Sequence, residues 1–184
     1  MDGAISVTKC SRCKLPSIIH QPYSGQHLCG RHLSDSVRRR TSRELRRQLS
    51  LPKDARKDDG SPFVVLVAVS GGKDSAVLLT MIKDIIGSRR DIRIVAGCVD
   101  EGIDGYRSPS LECARDLSED LGVDFVTLSY EEMGYDRMDK VVSKIPGMGE
   151  LHDEASGMMP CSFCGVFRRQ SLNSLADKVG ADVM

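Results

Sequence analysis

The fold is decided by the stretch Phe63-Val-Val-Leu-Val-Ala-Val-Ser70-Gly-Gly-Lys-Asp-Ser75-Ala-Val-Leu-Leu-Thr-Met-Ile-Lys-Asp-Ile-Ile86. Its opening apolar run has the length of a buried strand, and the part from Ser75 predicts a helix that ends at Gly87. Two adjacent glycines before a helix expose backbone N–H groups, and the helix dipole adds positive potential there. The stretch therefore predicts a strand, a phosphate-binding turn and a helix.

The turn itself has the pattern S-G-G-x-D-S. It is not a Walker A loop, because that loop needs four residues between its glycines and here they are adjacent. A tight turn that needs glycine for a positive φ is the plain structural alternative. The surrounding Ser, Lys, Asp and Ser favour phosphate binding instead. The pattern resembles the PP-loop of ATP pyrophosphatases, which split ATP between its α- and β-phosphates.

The chain around this turn alternates between strand and helix patterns. Such alternation predicts an α/β fold, an open parallel sheet with crossover helices. The expected strands are 63–69, 92–99 and 124–128, and the expected helices are 75–86, 109–121 from Pro109, one near 131–145, and 165–179. Residues 181–184 have the pattern of the beginning of a further strand, so we interpret the chain as truncated at its C-terminus.

Length and composition limit the class of protein. A chain of 184 residues can hold one α/β domain and a small module. No apolar run approaches membrane-spanning length, and no signal peptide is evident, so we expect a soluble, cytoplasmic protein without a membrane partner. Four of the seven cysteines form two C-x-x-C pairs, which favours metal or redox chemistry over disulfides.

Charge is divided unevenly along the chain. Residues 1–60 contain 13 Lys/Arg against 6 Asp/Glu, a net of +7, whereas residues 61–184 contain 13 against 20, a net of −7. A basic first part suggests a polyanionic partner. We predict a zinc-binding module at 1–33, a basic helix and linker at 34–60, and an incomplete PP-loop ATP-binding domain at 61–184.

The N-terminal module carries a candidate zinc site. Its four ligands form two pairs, each within one tight turn: Cys10, Cys13, Cys29 and His32. Four protein ligands leave no open position, which predicts a structural role. His20 and His27 are competing ligands without that spacing, and free surface thiols are the alternative to a metal site.

A basic helix follows the module. Residues 37–49 contain six arginines, with Val37, Leu45 and Leu49 spaced as an inward stripe. Four arginines would then project outward to meet RNA phosphates: Arg39, Arg43, Arg46 and Arg47. A solvated basic face is the alternative.

The second C-x-x-C pair is Cys161 and Cys164. We expect it just before a helix that begins near Gly165, where the dipole favours the nucleophilic or metal-binding thiolate. A structural zinc would need two more ligands, and the local sequence offers only His152. Buried, inert cysteines are the alternative.

Four motifs occur in a characteristic order: C-x2-C-x15-C-x2-H, S-G-G-K-D-S, D-E-G-I-x-G-Y-R from Asp100, and C-x-x-C-G-x-x-R-R from Cys161. This order resembles the tRNA 2-thiouridine synthetases of the TtuA type, relatives of the cytosolic wobble-uridine thiolases, over essentially the whole chain. The resemblance implies zinc in the first module, ATP at the PP-loop, and a [4Fe–4S] cluster on Cys161, Cys164 and a third cysteine. Family members continue into a T-G-H-N-x-D-D segment, the third cluster cysteine and a second zinc module, which this chain lacks.

The expected activity is ATP-dependent 2-thiolation of a tRNA uridine, by adenylation of the base O2 and sulfur transfer at Cys161 and Cys164. We expect this polypeptide to be inactive alone. Ser70, Lys73 and Ser75 would contact phosphates, with Asp74 placing Mg²⁺. The full set of expected nucleotide contacts is Ala68, Ser70, Gly71, Gly72, Lys73, Asp74, Ser75, Cys98, Asp100 and Arg168, of which Ala68 and Arg168 come from the resemblance alone.

Several alternatives stay open at this point. The chain could be a 2-thiocytidine or lysidine-type tRNA-modifying enzyme, or a non-catalytic zinc-containing tRNA-binding protein. The sulfur donor could be a thiocarboxylated ubiquitin-like carrier or sulfide, and a homodimer is also open. Cys113, in the middle of a predicted helix, is expected in the core.

Overall fold

A computed structural model describes residues 8–105, 107–144 and 159–184. The chain forms two compact units, one up to Pro52 and one from Lys53 onward. None of the helices in the described ranges is sufficiently long and apolar to cross a membrane.

The first unit is a small hairpin followed by a long helix. Strands β1 (Ile19–Gln21) and β2 (Gln26–Leu28) pair antiparallel, and helix α1 runs over Gly30–Leu49. Its core consists of Leu28, Cys10 and Cys29, with Cys13 and Leu33 packed against them. Three of these five side chains are thiols, so little apolar area is available to stabilise the unit without a metal.

Helix α1 begins at Gly30, inside the range 1–33 that was predicted for the zinc module, so the cysteine module and the basic helix belong to one unit. Val37, Leu45 and Leu49, the expected inward stripe of this helix, are half-buried, and the four arginines expected to project outward are all exposed. The helix therefore has the two faces that its sequence predicts. The domain boundaries at 33 and 60 stay predictions.

The second unit is an α/β fold with a three-stranded parallel sheet in the order β3-β4-β5. Its elements are β3 (Phe63–Ala68), α2 (Lys73–Ile86), β4 (Ile92–Asp100), α3 (Arg107–Asp120), β5 (Asp124–Ser129), α4 (Met138–Lys144) and α5 (Pro160–Val179). The predicted parallel sheet with crossover helices is confirmed.

The sheet is covered by α5 on one face. Val64, Leu66 and Val95 pack there with Ala176 and Val179 of that helix. Because strand side chains alternate, the residues between them face the other side. Helix α2 contacts β4, and α3 contacts β4 and β5. The inner face of α2 is buried at Leu79, Ile82 and Ile86.

Four helices differ from their predicted bounds, and the first of them, α2, begins at Lys73 rather than at Ser75. Helix α3 begins two residues before Pro109, and α5 begins at Pro160 rather than near Gly165. The helix predicted near 131–145 is only Met138–Lys144. Turns occupy the residues before it, including Gly134 at φ 77°, because left-handed backbone ends any continuous helix.

The last described residues lie along the free edge of β3. Val183 forms a parallel bridge with Val65, and its carbonyl accepts a hydrogen bond of 2.9 Å from the Leu66 N–H. The expectation that residues 181–184 begin a further strand is confirmed to this extent. They extend the sheet on the side opposite β4.

Gly97 allows α5 to approach the sheet closely. A Cβ at this position would lie 2.8 Å from Leu66 Cδ1 and 2.9 Å from Leu175 Cδ2. Both leucines are buried almost completely. We therefore expect Gly97→Ala to lower the free energy of unfolding by about 1–3 kcal/mol, because neither side chain has space to move away.

Urea unfolding followed by circular dichroism measures this effect. Gly165→Ala is the matched control, since Gly165 lies within α5 and its Cβ would contact nothing within 4 Å. The control is expected to gain up to about 1 kcal/mol from helix propensity. Equal stability of the two variants would contradict the packing assigned to Gly97.

Candidate active site and metal centre

The four predicted zinc ligands lie together in the first unit. Their ligand atoms all lie within 4.8 Å of one another. His32 Nδ1 is 3.3 Å from Cys10 Sγ and 3.4 Å from Cys29 Sγ, and Cys13 Sγ is 3.7 Å from Cys29 Sγ. In a tetrahedral site with Zn–S bonds of about 2.3 Å, neighbouring sulfurs are about 3.8 Å apart. The donors and their spacing fit a tetrahedral metal ion.

Local structure positions these ligands in two pairs. Cys10 and Cys13 share a tight turn, whereas Cys29 is the N-cap of α1 and His32 lies in its first turn. Burial acts to raise the pKa of the Cys10 thiol, but hydrogen bonds, including one from the Arg12 N–H, lower it to about 6. A lowered pKa favours the thiolate that a metal requires.

The two competing histidines are outside this cluster. His20 and His27 face each other across the hairpin, with ring centroids 4.5 Å apart. Among the residues that the structure describes, the Cys₃His group is the only set of three or more such ligands gathered for a metal.

The predicted phosphate-binding turn connects β3 to α2. Gly72 is the N-cap of α2, so Lys73 and Asp74 lie in the first helical turn. The sequence predicted a helix from Ser75, with both residues in the turn before it. The turn is closed by its serines: Ser75 Oγ donates to the Gly72 carbonyl at 2.8 Å and lies 3.2 Å from Ser70 Oγ. Both charged side chains are exposed and can meet a ligand.

Gly71 has no space for a side chain. Its φ is 82°, and a Cβ would lie 2.1 Å from the carbonyl oxygen of Ser110 in α3. The turn therefore depends on glycine here for both its conformation and its contact with a neighbouring helix.

A cavity of about 280 Å³ opens beside this turn, at the carboxyl ends of β3 and β4. Open α/β sheets bind ligands at this edge. The residues that line it are Ala68, Val69, Ser70, Val99, Glu101, Ile103, Arg168 and Leu172.

Arg168 lies between the cavity and a thiol. Its Nε donates to Glu101 Oε1 at 3.0 Å, and its Nη2 lies 3.3 Å from Cys164 Sγ. Burial alone would lower the pKa of Arg168, but the nearby Cys164 and Glu101 raise it. The guanidinium therefore stays charged while it touches both groups.

Cys161 and Cys164 lie in the first turns of α5, not before the helix as the sequence suggested. Cys161 is exposed and Cys164 is half-buried. Both thiols therefore lie at the N-terminus of α5. His152, considered as a further ligand, lies outside the described residues.

Comparison with known proteins finds relatives of the first unit and of the chain as a whole. Residues 9–34 match the family model of the N-terminal LIM domain of 2-thiouridine synthetase TtuA. The tRNA 2-thiolation protein NcsA of Haloferax volcanii is 38% identical over 174 residues, covering 95% of this chain and 51% of that protein. The chain is related to the TtuA and NcsA proteins.

Two further relatives agree with this relationship. A probable sulfurtransferase of Methanocaldococcus jannaschii is 29% identical over 95% of this chain and 47% of its own length. The structure of the U34-tRNA thiolase NcsA from Methanococcus maripaludis with its [4Fe-4S] cluster matches with a TM-score of 0.68 and 29% identity, over 95% of this chain and 52% of that one. The chain spans about half the length of these relatives.

Some residues expected at the site of a TtuA- or NcsA-like chain lie elsewhere. Cys98 is completely buried and alternates along β4 with Val99, which lines the cavity, so the structure does not bring the thiol there. Asp100 is half-buried, and its Oδ1 accepts a hydrogen bond of 2.9 Å from the Gly102 N–H. Cys113, expected in the core, is exposed.

Two residues of the site were missed by the sequence reasoning. Glu101 is only 4% exposed, lines the cavity and pairs with Arg168. Tyr130 is buried, donates to the Cys164 carbonyl at 2.9 Å and lies 3.5 Å from its Sγ. Burial, together with the Cys164 contact, raises the pKa of Tyr130. Glu101 follows β4 directly, a signal that could have identified it, whereas no sequence pattern marks Tyr130.

Proposed function

We propose that this chain carries the ATP-binding and sulfur-transfer residues of a tRNA uridine 2-thiolation enzyme. One observation carries the proposal. Arg168 lines the cavity beside the PP-loop and at the same time lies 3.3 Å from Cys164 Sγ. A nucleotide in the cavity and a sulfur at Cys164 would therefore both lie within reach of one substrate base.

The nucleotide would bind between the turn and Arg168. Backbone N–H groups at the start of α2 and the helix dipole favour the phosphates, and Arg168, which lines the cavity, supplies a guanidinium. Asp74 is exposed in the first turn and would help to place Mg²⁺. The contacts proposed for ATP are Ala68, Ser70, Gly71, Gly72, Lys73, Ser75 and Arg168, with Asp100 as a less direct candidate.

The reaction has two steps. The uridine O2 attacks the α-phosphate, an O–P bond forms, the N3 proton is lost, and the bond from the α-phosphorus to the bridging oxygen breaks to release pyrophosphate. A hydrosulfide-level sulfur then adds to C2, the C2–O bond breaks so that AMP leaves with the former O2, and the proton of the sulfur passes to N3 to give 2-thiouridine. Gly71, Gly72 and Lys73 would stabilise the pyrophosphate, whose charge develops during the first step.

Cys161 and Cys164 would hold the sulfur chemistry. Thiolates at a helix N-terminus, with Arg168 nearby, are suited to binding iron. We propose that they supply two ligands to a [4Fe–4S] cluster of the kind that the NcsA structure carries. When bound, such a cluster would supply an iron atom to which the sulfur to be transferred can bind. Two thiols leave further ligand positions to be filled by other groups.

The first unit would bind zinc and RNA. Zn²⁺ fits the Cys₃His donor set, and four ligands give it a structural role. The arginines of α1 would contact tRNA phosphates, although Arg47 already pairs with Glu44 at 2.7 Å. Arg39, Arg43 and Arg46 are exposed and are the main candidates.

A thiolation assay tests this proposal. We would fuse the C-terminal half of the Haloferax volcanii relative after Met184, reconstitute the fusion anaerobically with iron and sulfide, and assay modified nucleosides in tRNA by mass spectrometry. With ATP present, we expect 2-thiouridine together with release of AMP and pyrophosphate. Cys164→Ser should lower product formation by at least about 100-fold, because it removes a sulfur-site thiol.

Cys113→Ser is the matched control, since it removes an exposed thiol from α3. It should keep full thiolation. Product formation by the Cys164 variant at the unmodified rate would contradict the sulfur site. Appearance of 2-thiocytidine or lysidine instead would favour the alternative PP-loop activities, and ATP-independent tRNA binding without product would favour a non-catalytic role.

A further inference from the structure

Tyr23 lies exposed at the tip of the β1–β2 hairpin in the first unit. Its side chain is 62% exposed, in a turn closed by the Ser24 N–H donating to the Gln21 carbonyl and by Gly25 at φ 63°. An exposed aromatic ring can bury further apolar area against a partner. The ring is thus available to a partner.

Arg40 of α1 holds one face of this ring. Its Cζ lies 4.4 Å from the centroid of Tyr23, a cation–π contact. Within the described ranges, Arg40 has no carboxylate partner. The contact holds the ring while most of the Tyr23 side chain stays exposed, so the ring is oriented before any partner binds.

The surroundings of Tyr23 are basic. Arg40, Arg43 and Arg47 are spaced three and four residues apart and therefore share one face of α1. Residues 1–60 carry a net charge of +7. A polyanion is therefore favoured over an apolar protein surface as the partner of this region.

We propose that Tyr23, backed by Arg40, is a stacking platform for an unpaired RNA base. The inference rests on the proposed tRNA partner and adds how one part of it is bound. Proteins that bind single-stranded RNA combine basic residues for the backbone with aromatic rings for the bases. Tyr23 and the arginines of α1 supply both elements on one surface.

The chain contains no tryptophan, so Tyr23→Trp introduces a single fluorescent reporter. We expect its emission to be quenched on titration with single-stranded oligouridine RNA. Val77→Trp, on an exposed position of α2 in the second unit, is the control and should stay unquenched. In anisotropy titrations with the same RNA, Tyr23→Ala should weaken binding about 5- to 150-fold, whereas Tyr23→Phe should keep it.

The salt dependence of RNA affinity distinguishes a failure of the stacking platform from a failure of the proposed RNA partner. Replacing Arg39, Arg43 and Arg46 with alanine should flatten the slope of log affinity against log salt by about 0.7 per phosphate contact on single-stranded RNA. Tyr23→Ala should leave that slope unchanged.

Salt-dependent RNA binding with no Trp quenching and no effect of Tyr23→Ala would overturn the stacking platform alone. A chain that binds neither oligouridine nor tRNA would overturn the RNA partner itself. Loss of self-association in Tyr23→Ala, with RNA binding unchanged, would assign the ring to a protein contact and also overturn the inference.

Discussion

Replacing Cys13 and Cys29 together with serine is expected to remove one zinc ion per chain and to unfold the first unit. Structural zinc contributes about 10–16 kcal/mol to the folding of small zinc modules. The core of this unit is otherwise Leu28 and Leu33 beside the thiols. Metal analysis would measure the zinc, and amide hydrogen exchange would show the loss of protection in residues 8–49.

His20→Ala is the matched control for this experiment. It removes an imidazole from the hairpin, outside the Cys₃His group, so zinc should remain at one per chain. Exchange in β3 and β4 should be the same in both variants, because these strands have their own core. Full zinc occupancy in the double cysteine variant would refute the assignment of the ligands.

Gly71→Ala is expected to weaken ATP binding by at least about tenfold. A side chain here must adopt a φ of 82° and meets the Ser110 carbonyl at 2.1 Å. The contact is with backbone, which cannot rotate away, so the turn itself must move and its N–H groups lose their alignment. Isothermal titration with ATP and Mg²⁺ measures the change.

Gly72→Ala is the comparison variant in the same turn. Its φ is −86°, and a Cβ would lie 3.5 Å from Ser70 Oγ, an ordinary contact. We expect a smaller loss of affinity than for Gly71→Ala. Normal ATP binding by Gly71→Ala, or an equal loss of affinity in the two variants, would contradict the role assigned to the close approach of Gly71 to Ser110.

The sequence predicts the sheet well because its strands are buried apolar runs. Predicted strands 63–69, 92–99 and 124–128 each agree with β3, β4 and β5 within a single residue at either end. The helix near 131–145 was predicted too long, since apolar spacing there gave no indication of the left-handed turn at Gly134. Turns made by backbone conformation leave a weaker pattern than burial does.

The beginning of α5 shows a different limit. Proline is favoured at the first helical position, and Pro160 occupies it, so the signal was present. The glycine at 165 suggested a boundary, yet it lies inside the helix, where a Cβ would contact nothing within 4 Å. As a result both cysteines of the second pair were placed in a loop, although the pair itself was identified.

The contacts within the site depend on tertiary structure. Alternation along β4 could have separated Cys98 from Val99, but only the position of α5 shows which face holds the cavity. Tyr130 meets Cys164 across 34 positions of sequence. No local pattern encodes such a contact, because it depends on how α5 lies against the sheet.

The position of Arg168 makes binding at its two neighbours reciprocal. The same guanidinium contacts Glu101 at the cavity wall and Cys164 on α5. If an anion in the cavity draws the guanidinium toward itself, Arg168 moves away from Cys164 Sγ. By linkage, a ligand bound at Cys164 then alters the affinity of the cavity for that anion by the same factor by which the anion alters the binding of that ligand. Occupancy of the cavity and ligand binding at the thiol thus share one equilibrium.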